Sequence, residues 1–447
     1  MNRAVRFDDV RALLVSHVDL AGISRVRVLP HRRLLSASTH GVTFGADAAY
    51  GLTVDDHVTA ATAATGLDPA MGDLRGIADL SSMALLDAGS GLAWAAADLY
   101  ALDGTVHPTC TRSALRRVVD DTEDARLTFS VGFEVECTVF RGVPQGPEPA
   151  TSGPAHSTRA ALEGEGFALA ALAALEFAGV PVEQLHPARG DGRLEFALAP
   201  RDPLTAVDDL ALARVVLTRV AQAQGLGISF APVPIVGGAT NGCHMHLSAI
   251  REGRNLFADP TATHGIARDG GRMIAGILAR LPDAVALLGG SVLSFARLRP
   301  GERAGAHACW GPANREAAVR LVPGQAGMGA EQANIEIRAT DAAANPYLAV
   351  AAIIAAAVDG LERAVRLPRP VGVDPVTLTP AERRAAGIRA LPADLGRALD
   401  RLESSAFHRA VFGDVLLDAY VATRRHEWEA FGELPSEAVA DVVRWRY

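Results

Sequence analysis

The chain has 447 residues, more than one hydrophobic core usually supports, so its length predicts two domains. Hydrophobic residues make up 49% and charged residues 21% of the sequence, which is the balance of an ordinary folded protein. The net charge of -8 argues against a surface for nucleic acid, since such a surface needs an excess of basic residues.

The cysteines and the apolar segments bear on where the protein works. The four cysteines show no Cys-x-x-Cys spacing, which fits reduced thiols in a cytosol better than disulfides or a zinc site. The first nine residues contain acidic side chains where a signal peptide would need an apolar core. The most apolar helix candidate, residues 347–358, is too short to span a bilayer. We therefore expect a cytoplasmic protein that binds neither membranes nor nucleic acids.

Residues 1–105 are predicted to form a small α+β domain. The apolar spacing of Val10, Leu13 and Leu14 indicates an opening helix, and short alternating stretches broken by glycine follow it. Among these, residues 19–28 have the pattern of a turn flanked by strands. We find no catalytic constellation in this part of the sequence.

The second predicted domain, residues 106–447, alternates helices with strands. Helices are predicted over residues 111–119 and 204–223. Between them lies an Ala/Leu-rich helix that Gly179 is predicted to end.

The C-terminal part of the sequence is predicted to be mainly helical. Asn345 and Pro346 should begin a buried helix, as its N-cap and as a proline at its first position. From about residue 392 the helices are expected to be amphipathic, with Glu403 and Arg424 on the polar side.

A β-prone apolar run places Glu134 and Glu136 two residues apart. Residues i and i+2 of a strand face the same way, so these two carboxylates would share a face. Three later stretches, residues 193–196, 243–247 and 335–338, alternate charged or imidazole side chains with apolar ones. If the four faces converge, one pocket holds the side chains of Glu134, Glu136, Glu195, His244, His246, Glu336 and Arg338.

A divalent cation is the expected occupant of such a pocket. Gathered carboxylates repel one another and resist burial unless a cation offsets their charge. Carboxylates with one or two imidazoles, and without thiolate spacing, favour Mg²⁺ or Mn²⁺ over a closed zinc site. Mg²⁺ usually keeps part of its shell for water or phosphate oxygens, which implies a nucleotide partner.

Arginines near the pocket would clamp the phosphates of such a nucleotide, because the guanidinium fork binds two oxygens at once. The richest runs are residues 297–303 and 314–320. The alternative is that these arginines are solvated surface residues, and for Arg299 that alternative is favoured.

Taken together and in order, these motifs resemble those of the glutamine synthetase superfamily over nearly the whole chain. Residues 132–136 resemble its Gly-x-Glu-x-Glu motif, residues 244–248 its His-x-His-x-Ser, and residues 314–320 its Asn-Arg-x-Ala-x-x-Arg. Residues 335–349 resemble the signature that closes the active site. Residues 304–311 further resemble a bacterial glutamine-synthetase-like branch whose members ligate amines other than ammonia.

The resemblance implies a fold and a reaction. The fold is a small N-terminal β-grasp domain followed by a larger catalytic domain with a curved antiparallel sheet and flanking helices. The reaction transfers the γ-phosphoryl group of ATP to the side-chain carboxylate of glutamate or a similar acid, and an amine then displaces phosphate. Double-ring dodecamers are implied as well, with residues 1–105 completing a neighbouring subunit's pocket.

The resemblance also implies roles for individual residues. The expected metal ligands are Glu134, His244 and Glu336 for one ion, and Glu136 with Glu195 for the other. The residues expected to contact ATP are Glu183, His246, Ser248, Arg315 and Arg320. The residues expected to bind the amino-acid substrate are Thr240, Gly242, Arg297 and Arg338. The residues expected to act in catalysis are Arg297, Glu302, Arg303 and Arg315.

Several positions depart from the family pattern. Ala188 stands where the family carries a further glutamate for the second metal, so that Asp191 would have to replace this ligand or binding would weaken. Arg193 stands where the family has glutamine. Arg303, preceded by Glu302, occupies the place of a glutamate that helps to deprotonate ammonium. Because an arginine repels ammonium, we expect an organic amine larger than ammonia as the acceptor.

A second hypothesis belongs to another class of protein. A degenerate, non-catalytic relative would still bind a nucleotide or an amino acid, as a sensor or as a subunit of a mixed assembly. Ala188 and Arg303 favour this alternative. The acidic cluster and the phosphate-facing arginines favour the ligase, because a protein relieved of phosphoryl transfer need not keep an unfavourable cluster of carboxylates.

Overall fold

The computed structural model describes residues 5–59, 66–122, 126–143, 146–324 and 332–447, in which helices pack around two β-sheets. The strands are β1 (Ala12–Val18), β2 (Ser24–Pro30), β3 (Val42–Gly45), β4 (Asp73–Ala78), β5 (Ala84–Leu85), β6 (Leu92–Tyr100), β7 (Leu127–Arg141), β8 (Glu148–Pro149), β9 (Val182–Pro187), β10 (Arg193–Arg201), β11 (Gly227–Ser229), β12 (Cys243–Arg251), β13 (Arg254–Asn255), β14 (His307–Pro312), β15 (Ala317–Val322), β16 (Asn334–Ile337) and β17 (Arg389–Ala390). The helices are α1 (Leu34–Thr39), α2 (Thr111–Asp120), α3 (Thr158–Glu163), α4 (Glu165–Phe177), α5 (Pro203–Ala223), α6 (Arg268–Leu288), α7 (Val292–Arg297), α8 (Pro346–Glu362), α9 (Pro380–Ala385), α10 (Leu395–Glu403), α11 (Ala406–Phe412), α12 (Asp414–Phe431) and α13 (Ser436–Val443). This arrangement confirms the predicted α+β class.

The first sheet has the strand order β2-β1-β6-β4-β3, with β5 paired to β6. β1 and β6 run parallel, whereas the other neighbours run antiparallel. The turn flanked by strands is confirmed, since Val18 of β1 pairs with Ser24 of β2. The predicted opening helix is wrong, because Leu13 and Leu14 lie in β1, with Leu13 and Val15 fully buried on one face.

The second sheet has the order β17-β14-β15-β16-β12-β7-β10-β9, and β8, β11 and β13 pair along its sides. Its neighbours run antiparallel except for β14 and β15, which run parallel. On β7 the apolar Phe133 and Val135 are buried, and α5 packs against this strand. By alternation, Glu134 and Glu136 occupy the opposite face.

The helices that position the second sheet begin and end close to the predicted places. α2 and α5 confirm the helices expected over residues 111–119 and 204–223. Gly179 follows the end of α4 with a φ of 81°, the left-handed conformation that glycine adopts at little cost. Asn345 caps α8 as predicted, accepting a hydrogen bond from the Leu348 N–H at 3.1 Å.

The C-terminal helices differ from the prediction at one residue. Glu403 of α10 is exposed as expected. Arg424 of α12 was predicted to lie on the polar side, but it is fully buried. Its charge is met inside the protein, because Nη1 donates to Glu427 Oε2 at 2.8 Å and Nη2 to the Ala343 carbonyl at 2.8 Å.

One continuous hydrophobic core joins the two sheets. It includes Val18 and Phe44 of the first sheet, Leu115 of α2 and Val131 of β7. The domain boundary predicted at residue 105 falls between β6 and α2, and the division there remains a prediction. Among the described residues, no helix combines the length and apolarity needed to cross a membrane.

Candidate active site

Strand register gathers the predicted acidic and imidazole residues on one face of the second sheet. Glu134 of β7 lies opposite His244 of β12, and Glu136 lies opposite Glu195 of β10. On the other side of β12, Glu336 of β16 lies opposite His246. The convergence that the alternating pattern predicted is therefore present.

Glu134, His244 and Glu336 form the tightest group. His244 Nδ1 lies 3.2 Å from Glu134 Oε2 and 3.5 Å from Glu336 Oε1. One ligand atom from each of the three residues can be chosen so that all lie within 4.8 Å of one another. Two carboxylates and one imidazole, without a thiolate, form a donor set that fits Mg²⁺ or Mn²⁺.

The two carboxylates of this group are held in the charged form. Burial opposes ionisation of Glu134, but hydrogen bonds from His244 and His246 hold the pKa of its carboxyl well below the usual value. Burial also opposes ionisation of Glu336, and the adjacent Arg338 guanidinium outweighs it and lowers the pKa of that carboxyl. Arg320 Nη1 donates to Glu336 Oε2 at 2.7 Å. Charged carboxylates are the form that a cation binds.

Glu136 and Glu195 have a different environment. Glu136 is ion-paired with the Arg193 guanidinium and accepts the backbone N–H of Gly242. Although burial opposes it, Arg193 lowers the pKa of Glu136 to about 2. Burial, with the charges of Glu134 and Glu136, raises the pKa of Glu195 to about 8. The facing carboxylates of β7 and β10 are thus driven toward opposite protonation states.

Arg297 and Arg338 bring two buried guanidinium groups to the same place. Arg297, at the end of α7, is 2% exposed, and its Nη2 lies 3.0 Å from the Arg338 carbonyl and 3.2 Å from His244 Nε2. Its Nη1 is buried and has no hydrogen-bond acceptor among the described residues. Arg338 donates from Nε and Nη2 to the Arg303 carbonyl at 2.9 and 2.7 Å. The unpaired N–H group of Arg297 lies beside N–H groups of Arg338 that already have acceptors. Such an unpaired buried donor is suited to bind an anionic group of a ligand.

A cavity of about 790 Å³ opens beside these residues. Its lining includes most of the predicted substrate-binding and catalytic residues, together with part of the expected metal ligands: Glu136, Glu195, Thr240, His244, Arg297, Glu302, Arg303, Arg315 and Arg338. Arg303 has a φ of 56° and donates its backbone N–H to Glu316 Oε1 at 3.0 Å. Glu302 and Arg315 are exposed at this cavity, so both are free to meet a ligand.

The remaining residues predicted to contact ATP do not line this cavity. His246 Nε2 is 3.3 Å from Glu134 Oε1, and its Nδ1 is 2.9 Å from Asn334 Oδ1. Ser248 points the same way along β12 and donates to the Ala333 carbonyl at 3.1 Å. Glu183 is exposed on β9, and the structure does not place it among the residues that line this cavity.

Two further histidines lie near the site and were not predicted from the sequence. His186 of β9 lies opposite Glu195, with its Nε2 3.7 Å from Glu195 Oε1. His156 lines the cavity, and its ring centre is 5.2 Å from that of His186. Residues 182–187 do not alternate apolar and polar side chains, so the local pattern gave no signal for His186, and the loop residue His156 carries none either.

The positions that depart from the expected pattern also line this cavity. Ala188 is 4% exposed, and its backbone N–H donates to the Arg193 carbonyl at 3.0 Å. Asp191 is exposed at the cavity, and its role as a replacement metal ligand remains a prediction.

Comparisons with known proteins agree with this geometry. The family profile described as glutamine synthetase, catalytic domain, matches residues 108–442. A protein named gamma-glutamylpolyamine synthetase, from Streptomyces coelicolor, is 38% identical over 441 residues, covering 98% of this chain and 94% of that protein. A glutamine synthetase of Methanosarcina mazei is 27% identical over 442 residues, covering 96% of this chain and 93% of that protein. A solved structure described as a novel glutamine synthase homologue aligns over 100% of both chains, with a TM-score of 0.86 and 33% identity.

Proposed function

This chain belongs to the glutamine synthetase family, and we propose that it is an ATP-dependent ligase that joins the side-chain carboxylate of glutamate or a similar acid to an organic amine. The observation that carries the proposal is the convergence of Glu134, His244 and Glu336 within 4.8 Å, beside an arginine-lined cavity. A site that phosphorylates a carboxylate needs a cation and several guanidinium groups, because it must hold two anionic substrates together.

In this proposal Glu134, His244 and Glu336 hold one Mg²⁺ or Mn²⁺ ion, and Glu136 with Glu195 were the ligands expected for a second. A bound divalent ion would neutralise charge on the phosphoryl group of ATP. These three residues suit Mg²⁺ or Mn²⁺ because their ligand atoms are hard carboxylate oxygens and one imidazole nitrogen.

The arginines are proposed to divide between the two substrates. Arg315 and Arg320 would bind phosphate oxygens of ATP, with His246 beside them, and Glu183 with Ser248 would contact the nucleoside. Arg297 and Arg338 would bind carboxylates of the amino acid, since Arg297 Nη1 is a buried donor that such a carboxylate would satisfy. Thr240 lines the cavity, and Gly242 would act beside it, since its backbone N–H donates to Glu136.

The choice of an organic amine over ammonia rests on the charges at the cavity. Arg303 lines the cavity in place of the expected carboxylate, so its positive charge opposes the binding of a bare ammonium ion. A longer amine can reach with its other cationic groups to carboxylates that also line the cavity, such as Asp191. The name of the Streptomyces coelicolor relative makes polyamines the first amines to test.

The proposal is tested by measuring phosphate release from ATP with glutamate and a panel of amines. We expect release to require Mg²⁺ and an added amine, with diamines and polyamines outperforming ammonium at equal concentration. Mass spectrometry of the product should show an amide of the γ-carboxylate. If ammonium is the best acceptor, the organic-amine assignment is wrong.

The second candidate, a non-catalytic binding protein, is favoured by one observation. The Arg193 guanidinium contacts Glu136, which had been expected to bind a metal, and Ala188 adds no ligand. Binding of ATP and glutamate in calorimetry, without turnover across a broad amine panel, would support this candidate instead.

We further propose that the protein is cytoplasmic and assembles into a double-ring dodecamer in which residues 1–105 complete a neighbouring site. Sedimentation velocity should then show a particle of about twelve times the 46.7 kDa chain mass. A monomer that retains full ligase activity would contradict the shared site.

A further inference from the structure

Arg193 gives the site a feature that the proposed reaction leaves unused. Its guanidinium extends from β10 to the Glu136 carboxylate on β7, and the two side chains are only 14% and 6% exposed. The same oxygen, Glu136 Oε2, accepts the backbone N–H of Gly242. Two donors therefore already bind one oxygen of the carboxylate that was expected to ligate a metal ion.

In the part of the chain that the structure describes, the neighbours of Glu136 are not grouped closely enough to have the spacing of a metal site. Glu195, opposite Glu136, has His186 Nε2 at 3.7 Å from its Oε1. Position 188, which is hydrogen-bonded to the Arg193 backbone, is an alanine. Among the described residues, the group with the spacing of metal ligands is Glu134, His244 and Glu336, and neither Glu136 nor Glu195 belongs to it.

We propose that Arg193 takes the place of a second divalent cation, so that before nucleotide binds, the chain holds one cation, at Glu134, His244 and Glu336. A guanidinium against a buried carboxylate offsets its charge and forms directed hydrogen bonds. A divalent ion between Glu136 and Glu195 would have to displace that guanidinium or remain beside it, and either is costly at such short range. The inference rests on the proposed function to the extent that the Glu134 group binds a cation.

Replacing a second divalent cation by the Arg193 guanidinium changes the charge of the cavity wall. Arg193 lines the cavity together with Glu136 and Glu195, so this part of the wall carries a covalently attached positive charge. Such a charge stays in place when free metal is scarce, whereas a bound ion dissociates. Arg193 thus becomes a residue that sets how many metal ions the site takes.

The test is the stoichiometry of Mn²⁺ binding to the full-length protein without nucleotide, measured by equilibrium dialysis and by the electron paramagnetic resonance signal of free Mn²⁺. We expect one Mn²⁺ per chain in the wild type. Arg193→Gln should bind a second Mn²⁺ at least roughly tenfold more tightly than the wild type does, because a like charge has been removed from its immediate surroundings. Arg193→Gln combined with Ala188→Glu should bind it more tightly still.

Two controls separate charge at this position from charge in general. Arg193→Lys keeps a cation near Glu136 and should keep a stoichiometry of one. Arg189→Gln removes an exposed arginine from the same cavity wall and should also leave the stoichiometry unchanged. An equal gain of a second ion in Arg189→Gln would overturn the assignment to Arg193.

The outcomes distinguish this inference from the proposed function. Two ions of similar affinity in the wild type overturn the role of Arg193 while leaving the ligase proposal intact. Absence of Mn²⁺ binding in the wild type overturns the metal group itself. An Arg193→Gln variant that folds without gaining a second ion overturns the role of Arg193. Should Arg193→Gln fail to fold, Arg193→Met removes the same charge and should gain the second ion instead.

Discussion

At the scale of single residues, position 242 shows why the site needs a glycine. A Cβ atom there would lie 2.6 Å from Arg297 Nη2, 2.7 Å from His244 Nε2 and 3.1 Å from Glu136 Oε2. All three atoms are the far ends of side chains, so an added methyl group would push them aside without distorting the backbone. Gly242 therefore affects the positions of the functional groups more than the fold.

We expect Gly242→Ala to lower kcat/KM by about a hundredfold, because displacement of catalytic groups by about 1 Å can cost that much. The melting temperature should change little. Steady-state kinetics and thermal unfolding by circular dichroism check the two parts of this prediction. Gly166→Ala in α4 is the matched control, since a Cβ there meets no atom within 4 Å. Similar activity losses in both variants would argue against a special role for position 242.

The sequence predicts which residues belong to the site better than it predicts their contacts. Alternation along a strand places Glu134 with Glu136, and His244 with His246, whatever the strands pair with. The ion pair of Arg193 with Glu136 depends on β10 lying beside β7, and the bonds from Arg338 to the Arg303 carbonyl depend on the path of a loop. Such long-range pairings are not determined by the local pattern of residues.

At the scale of elements, a short apolar run does not show whether it forms a helix or a strand, whereas a residue pattern typical of a helix cap does show where a helix begins. Leu13 and Leu14 fit a helical face as well as a strand, and their placement in β1 follows from pairing with β2 and β6 on either side. The beginning of α8 was predictable because Asn345 and Pro346 carry local backbone chemistry. Tertiary structure then gives Asn345 a second function, since its Nδ2 donates to the Asp19 carbonyl at 2.9 Å.

We expect Asn345→Ala to destabilise the protein by about 2 kcal/mol, through the lost helix cap and the lost hydrogen bond to the Asp19 carbonyl, which keeps only the Gly22 N–H as a donor. Thr379→Ala is a suitable comparison, because Thr379 caps α9 by an equivalent bond but is exposed. Thr379→Ala should lower the free energy of unfolding by clearly less than Asn345→Ala does. Urea unfolding followed by tryptophan fluorescence gives both values. Equal losses would mean that the contact between Asn345 and the first sheet contributes nothing.

At the scale of the whole molecule, Arg424 and Glu427 connect distant parts of the chain. Arg424 bonds the Ala343 carbonyl just before α8, and Glu427 Oε1 accepts the backbone N–H of Val54 at 2.8 Å. An arginine and a glutamate three residues apart on a helix are typical of a solvated surface. The sequence analysis expected Arg424 on the polar side of an amphipathic helix, whereas the fold buries both Arg424 and Glu427.

Arg424 is fully buried and Glu427 is 2% exposed. We therefore expect Arg424→Met to destabilise the protein by about 3–5 kcal/mol, because it leaves the buried charge of Glu427 without its partner. Arg424→Met with Glu427→Gln should recover part of that loss, since the glutamine is uncharged and its carbonyl can still accept the Val54 N–H. A double-mutant cycle measured by chemical unfolding gives the coupling. Arg159→Met, which breaks the exposed pair of Arg159 with Glu163, is the control and should cost far less. A double variant whose loss of stability equals the sum of the two single losses would show that the two charges are not coupled in the folded protein.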